Sequence, residues 1–161
     1  MPDWIVHVLV AWTICTILGF KYKQFNTPNT VIVMIGSLLP DIFKIVIPLQ
    51  YLGVYISNFI NPIHLPIGSL IIASIIALFF KERKTVFLFL IFGFLTHYIL
   101  DFLLINLNGG MPLFFPLSWQ GLEFGIIPVD DYNITIITIL IALGVYSITL
   151  SNKKSKKVRN I

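Results

Sequence analysis

Long apolar runs separated by short polar segments dominate this chain. Five runs stand out, at residues 4–20, 30–49, 66–80, 85–107 and 132–150. A helix needs roughly 20 apolar residues, at about 1.5 Å of rise each, to cross the hydrocarbon core of a bilayer. The pattern therefore predicts an all-α integral membrane bundle of about five transmembrane helices.

Two further segments interrupt this pattern. Residues 108–119 are apolar but rich in glycine and proline, which break helices. They are too few to span a bilayer, so we expect a re-entrant or interfacial loop over the outer mouth of the bundle. Residues 50–61 are aromatic and mixed in character, which suits a loop or short helix at the outer interface.

The composition supports a membrane protein. Of the 161 residues, 57% are apolar and only 11% are charged, whereas a soluble domain typically has about 25% charged residues. The length predicts a single multipass domain at residues 1–152 and a basic tail at 153–161, with no separate soluble domain. The lone cysteine, Cys15, excludes a disulfide within the chain.

The net charge of +4 reflects basic residues at the ends of the apolar runs. The predicted helices place 10 of the 11 lysines and arginines on one side, and positive charge marks the cytoplasmic side. We therefore expect the N-terminus outside and the tail in the cytoplasm, where the tail could contact anionic lipid headgroups. This distribution anchors a membrane topology, and we expect no nucleic-acid partner.

The fourth run carries a histidine and an aspartate, His97 and Asp101, four residues apart. This spacing places both side chains on one helix face. A charged carboxylate near the bilayer centre costs about 2.5–3.5 kcal/mol, so Asp101 is expected to have an interior role. Two interpretations remain open: Asp101 hydrogen-bonds to His97 or to a neighbouring helix, or the pair binds a metal ion.

Other runs bring similar side chains. Pro40 interrupts the second run just before Asp41, which predicts either a kinked helix that presents Asp41 to an interior site or a helix that ends early with Asp41 as a cap. His7 lies near the outer end of the first run. His64 lies just before the third run, where Pro66 fits a helix entrance.

The predicted topology places these five polar side chains in the outer half of the membrane. Imidazole nitrogens and carboxylate oxygens without a thiolate suit zinc, manganese or iron. Some of the five could instead orient a ligand and not bind the ion themselves. The predicted ligands are His7, Asp41, His64, His97 and Asp101, of which Asp41 and Asp101 are also the candidate catalytic residues.

The order of these motifs resembles that of the membrane-bound metal-dependent hydrolases, the YdjM-like group. The resemblance covers residues 1 to about 120 and rests on the first histidine, the Gly-Ser-Leu-Leu-Pro-Asp block at 36–41, the histidine before the third helix, and the Thr-His-x-x-x-Asp block at 96–101. That group is in turn similar to zinc-dependent phospholipases C and trinuclear-zinc nucleases. The resemblance implies a metal-dependent hydrolase of phosphoesters or phospholipids, with zinc as the first choice of divalent ion. The residue set supports one or two such ions.

Two classes of function therefore remain open. One is a hydrolase whose site lies near the extracytoplasmic face and meets a lipid headgroup or another phosphoester. The other is a non-catalytic membrane protein, either a structural subunit or an ion or proton conduit. Residues 85–95 are almost wholly apolar, which disfavours a conduit through both halves of the bilayer. Four further acidic residues could supply additional oxygen ligands, but we expect them to be solvated loop charges: Asp3, Glu123, Asp130 and Asp131.

Overall fold

A computed structural model describes residues 4–41, 64–105, 110–128 and 132–159. Within these ranges the fold is all-helical and has no named strand, so the predicted fold class is confirmed at this level. The helices are α1 (Trp4–Gly19), α2 (Thr27–Leu38), α3 (Pro66–Leu78), α4 (Arg83–Leu103) and α5 (Tyr132–Arg159). The predictions for residues 42–49, for the segment at 50–61, and for Asp3, Asp130 and Asp131 lie outside the described residues.

Two of the described helices are long and apolar enough to cross a membrane. They are α4 and the part of α5 at Tyr132–Asn152, with 21 residues each. Helices α1 and α3 are apolar but have only 16 and 13 residues. At about 1.5 Å per residue they measure about 24 and 20 Å, against a hydrocarbon core of about 30 Å. The bundle of five crossings therefore stays a prediction.

Helix α2 begins and ends at residues that explain its bounds. The Asn26 side chain accepts a hydrogen bond from the backbone nitrogen of Asn29 at 3.0 Å, which caps the first turn. The α-helix ends at Leu38, because Pro40 cannot donate a backbone hydrogen bond, and residues 39–41 form one 3₁₀ turn. Asp41 is fully buried, as the interior alternative predicts, while the course of the second run after Asp41 lies outside the described residues.

The centre of the fold is a close crossing of α2 and α4. A Cβ atom on Gly93 would lie 2.3 Å from the carbonyl oxygen of Val33, and one on Gly36 would lie 2.6 Å from the carbonyl oxygen of Leu90. Only glycine allows two helix backbones to approach this closely. Helix α1 packs against α2 and α4, α3 packs against α4, and α5 packs against α1.

Residues 110–128 form an irregular segment that is tied to the end of α4. Isolated bridges pair Leu104 with Ile127 and Met111 with Leu122. The backbone nitrogen of Phe124 donates to the carbonyl oxygen of Phe102 at 2.8 Å. The described part of the predicted loop at 108–119 is therefore held next to the C-terminal end of α4, while its depth in a membrane stays a prediction.

Candidate metal centre

Four of the five predicted ligands meet at one point in the fold. Asp41 follows α2, His64 precedes α3, and His97 and Asp101 lie one turn apart on α4. Each offers one ligand atom, and these atoms all lie within 4.8 Å of one another. Asp41 and His97 are fully buried and Asp101 nearly so, whereas 23% of the His64 side chain is exposed. The four residues, which we call the four-ligand cluster, are close enough to hold a metal ion.

The distances within the four-ligand cluster suit a tetrahedral ion. His97 Nε2 lies 3.1 Å from Asp101 Oδ2, 3.4 Å from His64 Nε2 and 3.8 Å from Asp41 Oδ1. His64 Nε2 lies 3.4 Å from Asp41 Oδ1 and 3.6 Å from Asp101 Oδ2. Tetrahedral zinc, with bonds of about 2.0–2.1 Å, separates its ligand atoms by about 3.3 Å. These five separations lie within about 0.5 Å of that value, and all four ligand atoms lie within 4.8 Å of one another.

A backbone carbonyl fixes the orientation of the His97 ring. Its Nδ1 lies 2.8 Å from the carbonyl oxygen of Ser37. Because a carbonyl only accepts hydrogen bonds, we assign a proton to Nδ1. In the neutral ring, Nε2 then directs a lone pair toward His64 and the two carboxylates. Metal-bound histidines commonly donate their other ring N–H to a carbonyl or carboxylate in this way.

Lone pairs of nitrogen and carboxylate oxygen face one another in the four-ligand cluster and repel unless a proton or a cation lies between them. A proton on His97 Nε2 would supply one charge, directed at one acceptor. A divalent ion would instead contact all four ligand atoms and balance both carboxylates. Asp101 also lies close to the C-terminal end of α4, where the helix dipole disfavours a negative charge. This donor set therefore fits a divalent cation.

His7 lies beside the four-ligand cluster. Its ring stacks on His97, with the ring centroids 4.0 Å apart and the planes 22° from parallel. Its Nε2 lies 3.5 Å from Asp101 Oδ1, the carboxylate oxygen that is not shared with His97. Although the ring is fully buried, neither nitrogen has hydrogen-bond geometry with a described partner. The predicted role of His7 as a ligand stays a prediction, and its position would also allow it to orient Asp101.

Two hydroxyl groups hold the backbone at His64. The Tyr98 hydroxyl donates to the carbonyl oxygen of His64 at 3.0 Å. It also forms a hydrogen bond with Ser69 Oγ at the start of α3. Because Tyr98 directly follows His97 in α4, the helix that carries two residues of the four-ligand cluster also positions a third.

The sequence matches the YdjM inner membrane protein family over residues 1–160. The chain belongs to this family. Membership in YdjM agrees with the membrane location that the apolar runs predict. No curated protein and no solved structure matches the chain. The resemblance to the YdjM-like group is thus confirmed for the family itself, while its link to hydrolases and phospholipases C stays a prediction.

Sequence reasoning did not identify three residues that shape the site in this YdjM protein: Ser37, Gly93 and Tyr98. Ser37 acts through its backbone, so its side chain gave no signal. Glycine within an apolar helical run is a known sign of close helix packing, and Gly93 could have been found on that basis. Glu123 is exposed in the segment at 110–128, as expected for a loop charge, and is not part of the four-ligand cluster.

Proposed function

We propose that this YdjM protein is a membrane-embedded, metal-dependent hydrolase that acts on phosphoesters, with lipid headgroups as the substrate class. The observation that carries the proposal is the convergence of two imidazole nitrogens and two carboxylates from three separate parts of the chain. Zinc is the proposed ion, because nitrogen and oxygen donors with near-tetrahedral separations suit it. One ion fits the four-ligand cluster, and a second would need His7.

The roles of the individual residues follow from their positions. A bound zinc ion would supply a Lewis acid for phosphoryl oxygens and an activated water. His97, held at Nδ1 by a carbonyl, keeps Nε2 directed at the centre. Asp101 presents Oδ2 to the two histidines of the cluster and Oδ1 to His7, so a proton taken up at Oδ1 would be shared with the His7 ring. We therefore propose Asp101 as the proton acceptor, with Asp41 as the alternative.

Access to the site would come from the side of His64, since this is the partly exposed ligand of the cluster. We also propose five membrane crossings in one domain at residues 1–152, with the N-terminus outside and the tail at 153–161 in the cytoplasm. The two 21-residue apolar helices and the basic residues at the ends of the apolar runs support this topology. The site would then open toward the extracytoplasmic face and its lipid headgroups.

The test compares purified wild-type protein with His97→Ala and with Ser147→Ala. Ser147 is an exposed residue of α5 whose hydroxyl bonds within its own helix, so its loss is a matched polar-to-alanine control. Zinc content is measured by mass spectrometry, and hydrolysis is measured with bis(p-nitrophenyl) phosphate. We expect His97→Ala to lose its zinc and its activity to fall by more than about 100-fold, beyond the range of an orienting residue. Equal zinc content and activity in all three proteins would end the proposal.

The alternative is a non-catalytic membrane protein in which the same cluster, metal-bound or hydrogen-bonded, ties α2, α3 and α4 together. The burial of the cluster favours this alternative. Asp41, His97 and Asp101 are almost fully buried, and His64 is the one member of the cluster with appreciable exposure. Wild-type protein that binds zinc but hydrolyses no phosphoester, together with a lower unfolding temperature for His97→Ala, would support this alternative over the hydrolase.

A further inference from the structure

A groove of about 370 Å³ lies between α3, α4 and the segment at 110–128. This volume is in the range of about 300–1,000 Å³ that is typical of small-molecule sites. Its walls are almost entirely apolar, with Ser69 and Tyr98 as the residues that bring hydroxyl groups. The apolar residues of the wall include Leu70, Ile91, Phe94, Leu95, Ile99 and Leu113.

The groove adjoins the four-ligand cluster through Tyr98. The Tyr98 ring lies with its centroid 6.4 Å from the His64 ring and 5.7 Å from the His97 ring. The same side chain therefore contacts the groove and holds the carbonyl of a predicted ligand. None of the four cluster residues lines the groove, so Tyr98 is the wall residue that links the groove to the cluster.

The groove opens sideways on the protein surface. Three of its wall residues, Leu70, Leu95 and Ile99, are 46%, 52% and 62% exposed, whereas Phe94 is only 2% exposed at its base. Leu95 and Ile99 belong to α4, which is long and apolar enough to span a membrane. In an inner membrane protein this opening would face hydrocarbon instead of water.

We propose that the groove binds a fatty-acyl chain of a phospholipid whose phosphoester headgroup lies at the four-ligand cluster. The part that concerns the headgroup rests on the proposed function. Two features favour this occupant. The groove is apolar and opens sideways, which suits an acyl chain. It is linked through Tyr98 to a cluster that suits a cation, and a bound cation would attract a phosphate group. A water-soluble phosphoester would leave the apolar walls unused.

The first test measures chain contact without relying on hydrolysis. Protein is reconstituted in phosphatidylglycerol vesicles that contain a phospholipid with a diazirine in its acyl chain, and labelled residues are mapped by mass spectrometry. We expect labelling at Phe94, which lines the groove and is only 2% exposed. Leu95→Trp, which fills the groove, should lower this labelling to background. Leu88→Trp is the matched control, because Leu88 is 63% exposed on the same helix and is not part of the groove.

The second test measures hydrolysis of soluble phospholipids with short acyl chains of increasing length. For wild type, kcat/KM should rise by up to about fourfold per added methylene, as expected when each methylene is buried. For Leu95→Trp, this dependence on chain length should be lost. If Leu95→Trp does not fold, Ile99→Trp provides the same obstruction from the next turn of α4.

The two proposals fail in different ways. Phe94 labelling in wild type and in His97→Ala, without hydrolysis of any phospholipid, would support the acyl-chain site and overturn the proposed hydrolase. Hydrolysis of bis(p-nitrophenyl) phosphate, with no Phe94 labelling and no effect of chain length, would support the hydrolase and overturn the acyl-chain site. Equal labelling of Phe94 in wild type and Leu95→Trp would also overturn the acyl-chain site.

Discussion

The substitution Gly93→Ala tests whether the close crossing of α2 and α4 builds the metal centre. The added Cβ would lie 2.3 Å from the carbonyl oxygen of Val33 and 2.7 Å from the backbone nitrogen of Ser37. Both neighbours are backbone atoms, so no side-chain rotation can relieve the contact. Ordinary contacts begin at 3.4 Å, and the shortfall from 3.4 to 2.3 Å is 1.1 Å. Helix α2 must therefore move away from α4 by about that distance.

This displacement is large for the site. The distance from His97 Nδ1 to the carbonyl oxygen of Ser37 is 2.8 Å, and an added displacement of about 1 Å takes it beyond the range of about 2.7–3.2 Å for a hydrogen bond. Asp41 follows in the same segment and would retreat from the cluster as well. We expect the zinc affinity to fall by about 10- to 100-fold, the usual effect of losing a partner that orients a ligand. Overpacking should also cost about 1–3 kcal/mol of stability.

The assay is thermal unfolding of the purified protein in detergent, with and without added zinc. A ligand that binds only the folded state raises the free energy of unfolding by an amount that grows with the logarithm of its affinity. A 10- to 100-fold loss of affinity should therefore remove about 1.4–2.7 kcal/mol of the zinc-dependent stabilisation. This difference separates the metal centre from simple loss of packing, which lowers stability equally in both conditions.

Gly144→Ala is the matched control, because its Cβ would meet nothing within 4 Å. Alanine is favoured over glycine inside a helix by about 0.8–1.0 kcal/mol, so this variant should be slightly more stable and should bind zinc like wild type. The reasoning is refuted if Gly93→Ala folds and shows the same zinc-dependent stabilisation as wild type. The same result for Gly36→Ala would strengthen that refutation, because its Cβ meets the carbonyl oxygen of Leu90 at 2.6 Å.

Two further predictions address His7 and the topology. His7→Phe keeps a ring that can stack on His97 but removes the nitrogen next to Asp101, so zinc affinity measured by calorimetry should fall by about 10- to 100-fold at unchanged stoichiometry. Loss of a whole ion per chain would instead make His7 a ligand. Green fluorescent protein fused after residue 161 should fluoresce, since the basic tail is expected in the cytoplasm. If this fusion does not fluoresce, and a separate alkaline phosphatase fusion at the same position is active, the tail lies outside and the predicted topology is wrong.

The convergence of the cluster could be predicted because each residue carried a local signal. The spacing of His97 and Asp101 fixed their common helix face, and Pro40 indicated a kink or a helix end next to Asp41. The basic residues then gave each helix a direction without reference to the polar side chains. The separations of 3.1–3.8 Å between ligand atoms depend on how the helices pack, and no spacing along the chain specifies them.

The lengths of the helices were less predictable than their positions. Hydropathy extends the first and third runs to Phe20 and Phe80, whereas α1 ends at Gly19 and α3 ends at Leu78. Hydropathy records which residues tolerate an apolar environment, and it does not record where backbone hydrogen bonds stop. Phe79 and Phe80 donate in tight turns after α3, so the apolar run continues past the helix. A run of suitable length is therefore weaker evidence for a span than a helix of suitable length.

Helix α4 carries packing contacts and two predicted metal ligands on one face. Gly93, His97 and Asp101 follow one another at intervals of four residues, so they point to the same side of the helix. Gly93 admits the backbone of α2, which brings the carbonyl of Ser37 to His97, and Tyr98 secures the backbone of His64. The helix contact and the ligand geometry are thus two results of one arrangement. An ion bound at this face should therefore stabilise the crossing of α2 and α4, and any change that loosens the crossing should release the ion.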